Sequence, residues 1–248
     1  MAKTYETGHA KNVENFYKLD DRITSFGNRY APSDSRLQQL NIDNIKQSAT
    51  NALAQLAAAN PPYLQAIGRR EAAFTNLAST ASRALKIAEI LHLDVATIRA
   101  LKELVRKLYG RRAVPKKITQ PNHNANTETT EQEHRYISVS QLSFDQRIEH
   151  FSQFIEILKA ETTYQPVETD LSVNGLIERL DEMRASNKAV TPTIITLTKA
   201  RNTRNAILYP PVTGLVDVAL DIKKYIRAAF GDKSPEYLSI KGLQFRKN

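Results

Sequence analysis

The chain has no cysteine and no tryptophan, and only eight glycines and two methionines among 248 residues. Without cysteine there is no disulfide, no thiolate nucleophile and no thiolate metal site. Eight scattered glycines assemble neither GxGxxG nor GxxxxGK(S/T), so the phosphate-cradling loops are excluded. No stretch approaches the roughly 20 apolar residues of a membrane span. The opening Met1-Ala2-Lys3-Thr4-Tyr5-Glu6 has no apolar segment behind it, so no secretory signal is read and the cytoplasm is the expected location.

What is present is a globular composition, 41% hydrophobic and 25% charged, rich in alanine and therefore suited to helices. The chain also repeats itself. Val13-Glu14-Asn15-Phe16 returns as Ile148-Glu149-His150-Phe151, and Tyr30-Ala31-Pro32 as Tyr164-Gln165-Pro166. Arg70 with Phe74 returns as Arg204 with Leu208, and Leu108-Tyr109-Gly110 is aligned with Ala229-Phe230-Gly231. The offset drifts from 135 to 134 and then to 121, so small insertions separate the copies. A period of this size marks a duplicated supersecondary unit. The expected fold is all-α, a duplicated antiparallel helical bundle of two similar units with about four helices each. The expected domains are 1–114 and 136–248, joined by a polar linker or long loop at 115–135 that is rich in Asn and Thr.

Apolar spacing places the helices of the first copy near 10–28, 33–59, 60–91 and 94–109, with a break or kink at Asn60-Pro61-Pro62. Those of the second copy fall near 144–160, 168–187, 192–209 and 213–230. Asp94 and Ser143 are read as caps, the latter with capping-box spacing to Gln146. Ile194-Ile195-Thr196-Leu197-Thr198 is β-branched, yet the repeat demands helix there. The tail from Ser234 carries enough apolar groups to dock on the body, leaving Arg246-Lys247-Asn248 free.

With the copies aligned, Gly8-His9-Ala10-Lys11-Asn12-Val13, Arg70-Glu71-Ala72-Ala73-Phe74, Arg201-Asn202-Thr203-Arg204 and Ser234-Pro235-Glu236-Tyr237 stand out. Together with Gly242-Leu243-Gln244-Phe245 they resemble a family of uncharacterised helical proteins from Bacteroidota, over nearly the whole chain. That resemblance implies a helical fold and a bacterial source, and carries over no catalytic residue.

Catalytic and metal chemistry find little support. The five histidines show neither HExxH nor HxxxH spacing, and Glu131 to His134 has Glu-x-x-His spacing once, in a predicted loop. His92 is read as a helix-end residue, His123 as solvated loop, and the neighbouring carboxylates Asp20-Asp21 as solvated surface. No GxSxG elbow is present. The expectation is a non-catalytic protein with no cofactor and no metal.

Two features carry the remaining interest. Arg70 and Arg204 recur mid-helix, and Glu14 and Glu149, also kept in both copies, are their candidate ion-pair partners. The net charge of +9 is concentrated. Residues 99–117 hold eight basic groups against one acid, residues 221–248 contribute +4, and the rest of the chain sums to −2. Arg99, Lys102, Arg106, Lys107, Arg111, Arg112, Lys116 and Lys117 form a candidate polyanion-binding patch opposite the Leu101, Leu104, Val105, Leu108 stripe. A solvated face is the plainer reading. The sequence therefore points to a structural or interaction protein whose partner is another protein or a second copy. Nucleic acid bound by 99–117 is the alternative, and a membrane surface is the least favoured partner.

Overall fold

The computed structural model describes residues 6–111 and 142–247, with side chains from Gly8 onward. The described residues form eight α-helices and no strand. In the first half these are α1 (Glu6–Ser25), α2 (Gln39–Phe74), α3 (Leu77–Ile90) and α4 (Val95–Leu108). In the second half they are α5 (Phe144–Ala160), α6 (Val173–Leu208), α7 (Leu215–Phe230) and α8 (Pro235–Lys241). The all-α expectation holds, and the β-branched run at 194–198 lies inside α6.

Of the break or kink expected at Pro61-Pro62, the break is not there. α2 runs through both prolines for 36 residues, and α6 runs through Pro192 for 36 residues. A helical proline leaves the carbonyl four residues earlier without its donor. Here those residues are Ala57, Ala58 and Lys188, all exposed, so the lost bonds fall where the helix meets solvent rather than in the core. The real stop comes at Thr75-Asn76, where Asn76 adopts φ 58°, a left-handed conformation that asparagine tolerates.

The caps form as expected. Asp94 accepts from the Ala96 N–H at 2.8 Å and Ser143 from the Gln146 N–H at 3.2 Å. Asp34 caps the short 3-10 turn Ser35–Leu37 that precedes α2.

Seven pairs of positions matched by the sequence landmarks are buried together. Phe16 and Phe151, Leu19 and Phe154, Ile23 and Leu158 are all buried. So are Leu37 and Leu171, Ile42 and Leu176, Ala49 and Met183, Phe74 and Leu208. The last landmark needs correction. Gly231 ends α7, the third helix of its half, whereas Gly110 follows α4, the fourth. The glycine that follows the fourth helix of the second half, α8, is Gly242. The shared Gly stop had suggested the pairing, but helix order decides against it.

The compact units do not coincide with the sequence halves at 1–114 and 136–248. One unit joins residues 1–65 with 192–248, and the other is 66–191, so the boundary falls inside both long helices. Helix length gives the reason. A 36-residue helix is about 54 Å long, more than the shorter helices of its own half can cover. In the first unit α1 packs on α7 and α8, burying Phe16, Leu19 and Ile23 with Val218, Ile222, Ile226 and Ile240. In the second, α4 packs on α3 and α5, burying Leu101, Leu104 and Leu108 with Ala81, Ala84, Phe151, Phe154 and Leu158. Each core is thus made of helices from both halves. The linker expected at 115–135 lies outside the described residues.

Candidate interaction surfaces

In the first unit, the residues after α8 have no regular secondary structure, yet they are closely held. Leu243 and Phe245 are half-buried while Gln244 and Arg246 are exposed, the alternation of an extended chain. Two asparagines on successive turns of α1 take the polar side. Asn12 donates to the Arg246 carbonyl at 2.9 Å and accepts from the Arg246 N–H at 3.0 Å. Asn15 donates to the Gln244 carbonyl at 2.7 Å. From α7, Lys223 donates to the carbonyls of Leu243 and Lys241, at 2.6 and 3.1 Å. Lys247 pairs with Asp217 at 2.7 Å, and this ammonium is the main reason the Asp217 carboxyl sits below its usual range. The expectation that Arg246 and Lys247 are free is therefore corrected. A cleft of about 560 Å³ runs beside the segment, lined by Gly8, Lys11, Asn12, Asn15, Gly242, Gln244 and Arg246. The sequence signal was two amides one turn apart beside Val13 and Phe16, and the spacing of hydrophobes alone passed over them.

The buried ion pair of this unit is also not the expected one. Glu14 is half-exposed and is engaged by Lys11 at 3.0 Å and Lys18 at 2.6 Å, two neighbours on its own helix that lower its carboxyl. Glu149 accepts from Gln153 at 2.7 Å, again on its own helix. Neither reaches for the arginines. Arg204 is buried and donates to Asn205 Oδ1 at 2.9 and 3.1 Å. Asp20, read from sequence as solvated, is instead buried and bridges Lys46 and Gln39, the latter at 2.7 Å. The Asp20 carboxylate is the first cause that raises the Lys46 ammonium, and burial opposes it.

In the second unit, arginines gather at the end of α2. Arg70 lies over the Phe144 ring at 4.0 Å, and that ring meets Phe74 edge-on at 4.8 Å. Arg147 covers the Phe74 ring at 5.1 Å and donates to the Phe74 carbonyl at 3.0 Å. Arg179 donates to the Thr75 carbonyl and, at 2.7 Å, to Thr80 Oγ1. Guanidinium groups suit a helix C-terminus, whose last carbonyls lack helical donors and carry partial negative charge. Burial lowers both Arg147 and Arg179, and Arg179 adds to the effect on Arg147. One turn beyond Arg147, His150 is buried with both ring nitrogens unbonded; burial first, then Lys107, pushes its pKa down.

The basic helix α4 presents its charge as the stripe predicts. Leu101, Leu104, Val105 and Leu108 are buried, Arg99 and Lys102 exposed, Arg106 and Lys107 half-buried. Part of that charge is used locally. Lys102 pairs with Glu89 at 2.7 Å, and Arg106 donates to the Arg111 carbonyl at 2.8 Å. Arg111 stacks on the exposed Tyr109 ring at 4.7 Å. Gly110 between them has φ +71°, and a Cβ there would stand 2.9 Å from Leu142. Arg112, Lys116 and Lys117 lie outside the described residues, as do His123 and the Glu131 to His134 spacing.

Among the described residues, no group of three or more His, Asp or Glu is placed to hold a metal ion, and no helix is long and apolar enough to cross a membrane. The chain matches no protein-family model, no curated protein and no solved structure.

Proposed function

We propose that this is a non-catalytic interaction protein, a scaffold or adaptor made from two copies of one helical unit. Its partner on this reading is another protein or a second copy of the chain, it works in the cytoplasm, and its source lies among the Bacteroidota. The observation that carries the proposal is the clamp on residues 243–247. Side chains of α1 and α7 hold three main-chain carbonyls of a non-helical segment, and apolar contacts take alternate side chains. That is how a surface recognises a peptide, with main-chain bonds giving affinity and alternate pockets giving specificity. The test is quantitative affinity purification from the native cell, repeated with nuclease and with the Asn12→Ala/Asn15→Ala variant. A defined protein partner that survives nuclease and is depleted by the variant supports the reading. Recovery of nucleic acid alone, lost on nuclease treatment, replaces it.

The second reading is a polyanion-binding protein using Arg99, Lys102, Arg106, Lys107 and Arg111, with Arg112, Lys116 and Lys117 beyond. The Arg111–Tyr109 stack favours it, because an exposed aromatic beside basic groups suits single-stranded nucleic acid. The distinguishing measurement is the slope of log affinity against log salt. Phosphate contacts flatten it by about 0.9 for each one removed on duplex DNA. Binding at low salt alone reflects net charge and supports nothing.

A further inference from the structure

We propose that the chain pairs with a second copy of itself across the uncharged flank of the α2–α6 pair that carries Leu64 and Ile194, so that two two-helix layers close into a four-helix bundle. The inference rests on the interaction role above and names a second copy as the occupant of this surface. It starts from charge. A quarter of the chain is charged, yet residues 47–68 hold no charged side chain, the longest such run in the sequence. On α6 the run 189–198 holds none either. Burial does not account for this. In the first unit most of residues 47–65 are exposed, Ala57, Asn60 and Pro61 among them. Leu64 is 56% exposed and Ile194 42%. Loss of charge around exposed apolar groups is the compositional mark of an interface centre.

The layer beneath is thin. Leu56, Ala59, Leu197 and Ala200 form a cluster, with Tyr63 against it, that draws on α2 and α6 alone among the described residues. Two packed helices bury one seam and leave both flanks open, whereas two such layers set face to face enclose a full core. Helical spacing of about 100° per residue separates the flanks. Gln55, Ala58 and Pro62 lie to one side of the inward Leu56, where with Pro192, Thr196 and Lys199 they line an open groove of about 490 Å³. Ala57, Asn60 and Leu64 lie to the other side, as do Ile194 and Thr198 relative to the inward Leu197. The groove flank therefore includes the charge of Lys199. The Leu64 flank has none from Leu53 to Leu64 on α2, and on α6 it has none before Arg201.

Charge also selects the occupant. The chain carries +9, gathered at 99–117 and 221–248. An acidic partner is drawn to those stretches. A second copy is repelled by them and approaches closely only where neither molecule is charged. The flank also suits a symmetric dimer, in which one patch must fit itself. Ala49 shares a core with Leu208 and Leu56 with Leu197, so the two helices run antiparallel. Bulky Leu64 and Ile194 then sit towards one end of the flank, and the smaller Ala57 and Thr198 towards the other. One copy reversed against another sets large against small. Residues 47–65 span about 28 Å and two helices about 20 Å, which gives about 560 Å² per copy. A dimer then buries about 1,100 Å², at the lower edge of specific interfaces and suited to reversible pairing.

The experiment is sedimentation velocity on the full, nuclease-treated chain at concentrations up to about 100 μM, where a small interface is expected to populate the dimer. Added salt should strengthen pairing, because it screens the repulsion between two basic molecules. Leu64→Glu and Ile194→Glu put a charge on the flank at positions that are already exposed. Each should weaken the dimer at least about tenfold and leave the urea midpoint unchanged. Gln55→Glu puts the same charge on the groove flank and should leave the dimer as it is. Thr198→Cys creates the one thiol in the chain, and its alkylation should slow as protein concentration rises. Leu40→Cys, at another exposed position of α2, should show no such protection. This second readout decides the matter if a Glu variant misfolds. A chain that stays monomeric throughout overturns the proposal. So does a dimer that survives both Glu substitutions, that Gln55→Glu dissolves, or that salt dissociates. Those results mark respectively another surface, the groove flank and a contact made by charge. None of them touches the interaction role, which falls only if the nuclease-resistant partner described above is not found.

Discussion

Tyr30 and Tyr164 make the same bond in different cores. Each phenol donates to the main-chain carbonyl seven residues on, Leu37 at 2.7 Å and Leu171 at 2.8 Å. Each thereby pins the approach to a long helix. Burial is the first cause that raises both phenols, Tyr164 to about 12. The substitutions Tyr30→Phe and Tyr164→Phe should cost nearly the same, about 1–3 kcal/mol each, since each leaves a carbonyl unmet. Urea denaturation measures both, and the double variant should be additive to within about 0.5 kcal/mol. A large cost at one site and none at the other would show that only one is structural.

Asp20 and Lys46 should matter more than any surface pair. Lys46→Ala leaves a buried carboxylate without its cation, and because Lys46 is partly exposed the expected loss is about 2–3 kcal/mol. Glu14→Ala removes two solvent-screened pairs and should cost clearly less than Lys46→Ala. Reversal of that order in chemical denaturation would contradict the burial assigned to Asp20.

His150 should make the protein sensitive to acid. Its folded pKa is depressed, so above the ordinary value near 6.5 both folded and unfolded forms are neutral and the group contributes nothing. Below that value the unfolded chain takes up a proton that the folded one resists, and stability falls with pH until the folded pKa is reached. Between pH 7.5 and 5.5 the effect is at most about 1.4 kcal/mol. Subtracting the same measurement on His150→Gln isolates it from other groups. An unchanged pH slope in that variant would remove the effect.

Asn12→Ala and Asn15→Ala should each lower stability by about 1 kcal/mol and make residues 243–247 accessible to protease. Full protease resistance in the double variant would show that Lys223, Leu243 and Phe245 hold the segment unaided.

Helix type, the caps at Asp94 and Ser143 and most inward positions were legible, because each depends on local pattern. The Leu101 to Leu108 stripe is one example and the paired phenylalanines at 16 and 151 are another. What local pattern missed depends on partners distant in the chain. Pro61 and Pro62 read as a break or kink, since local pattern does not show that α2 continues through them with Ala57 and Ala58 exposed. Asp20 read as surface because its partner lies 26 residues on, at Lys46. Arg70 and Glu149 were joined as opposite charges kept in both copies. The guanidinium rests on an aromatic ring instead, which no charge count reveals. The basic stripe of α4 was placed correctly on its face, while its local uses at Glu89 and the Arg111 carbonyl were not visible.

Interleaving the two halves sets a timetable for synthesis. Phe16 leaves the ribosome early, yet the residues that close over it, Val218, Ile222 and Ile226, lie about 200 positions later. At roughly 5–20 residues per second that delay is about 10–40 seconds. Throughout it the nascent chain carries an uncovered apolar face, a natural substrate for chaperones. Stalling translation between the two halves would strand a segment that has its helices but not its core.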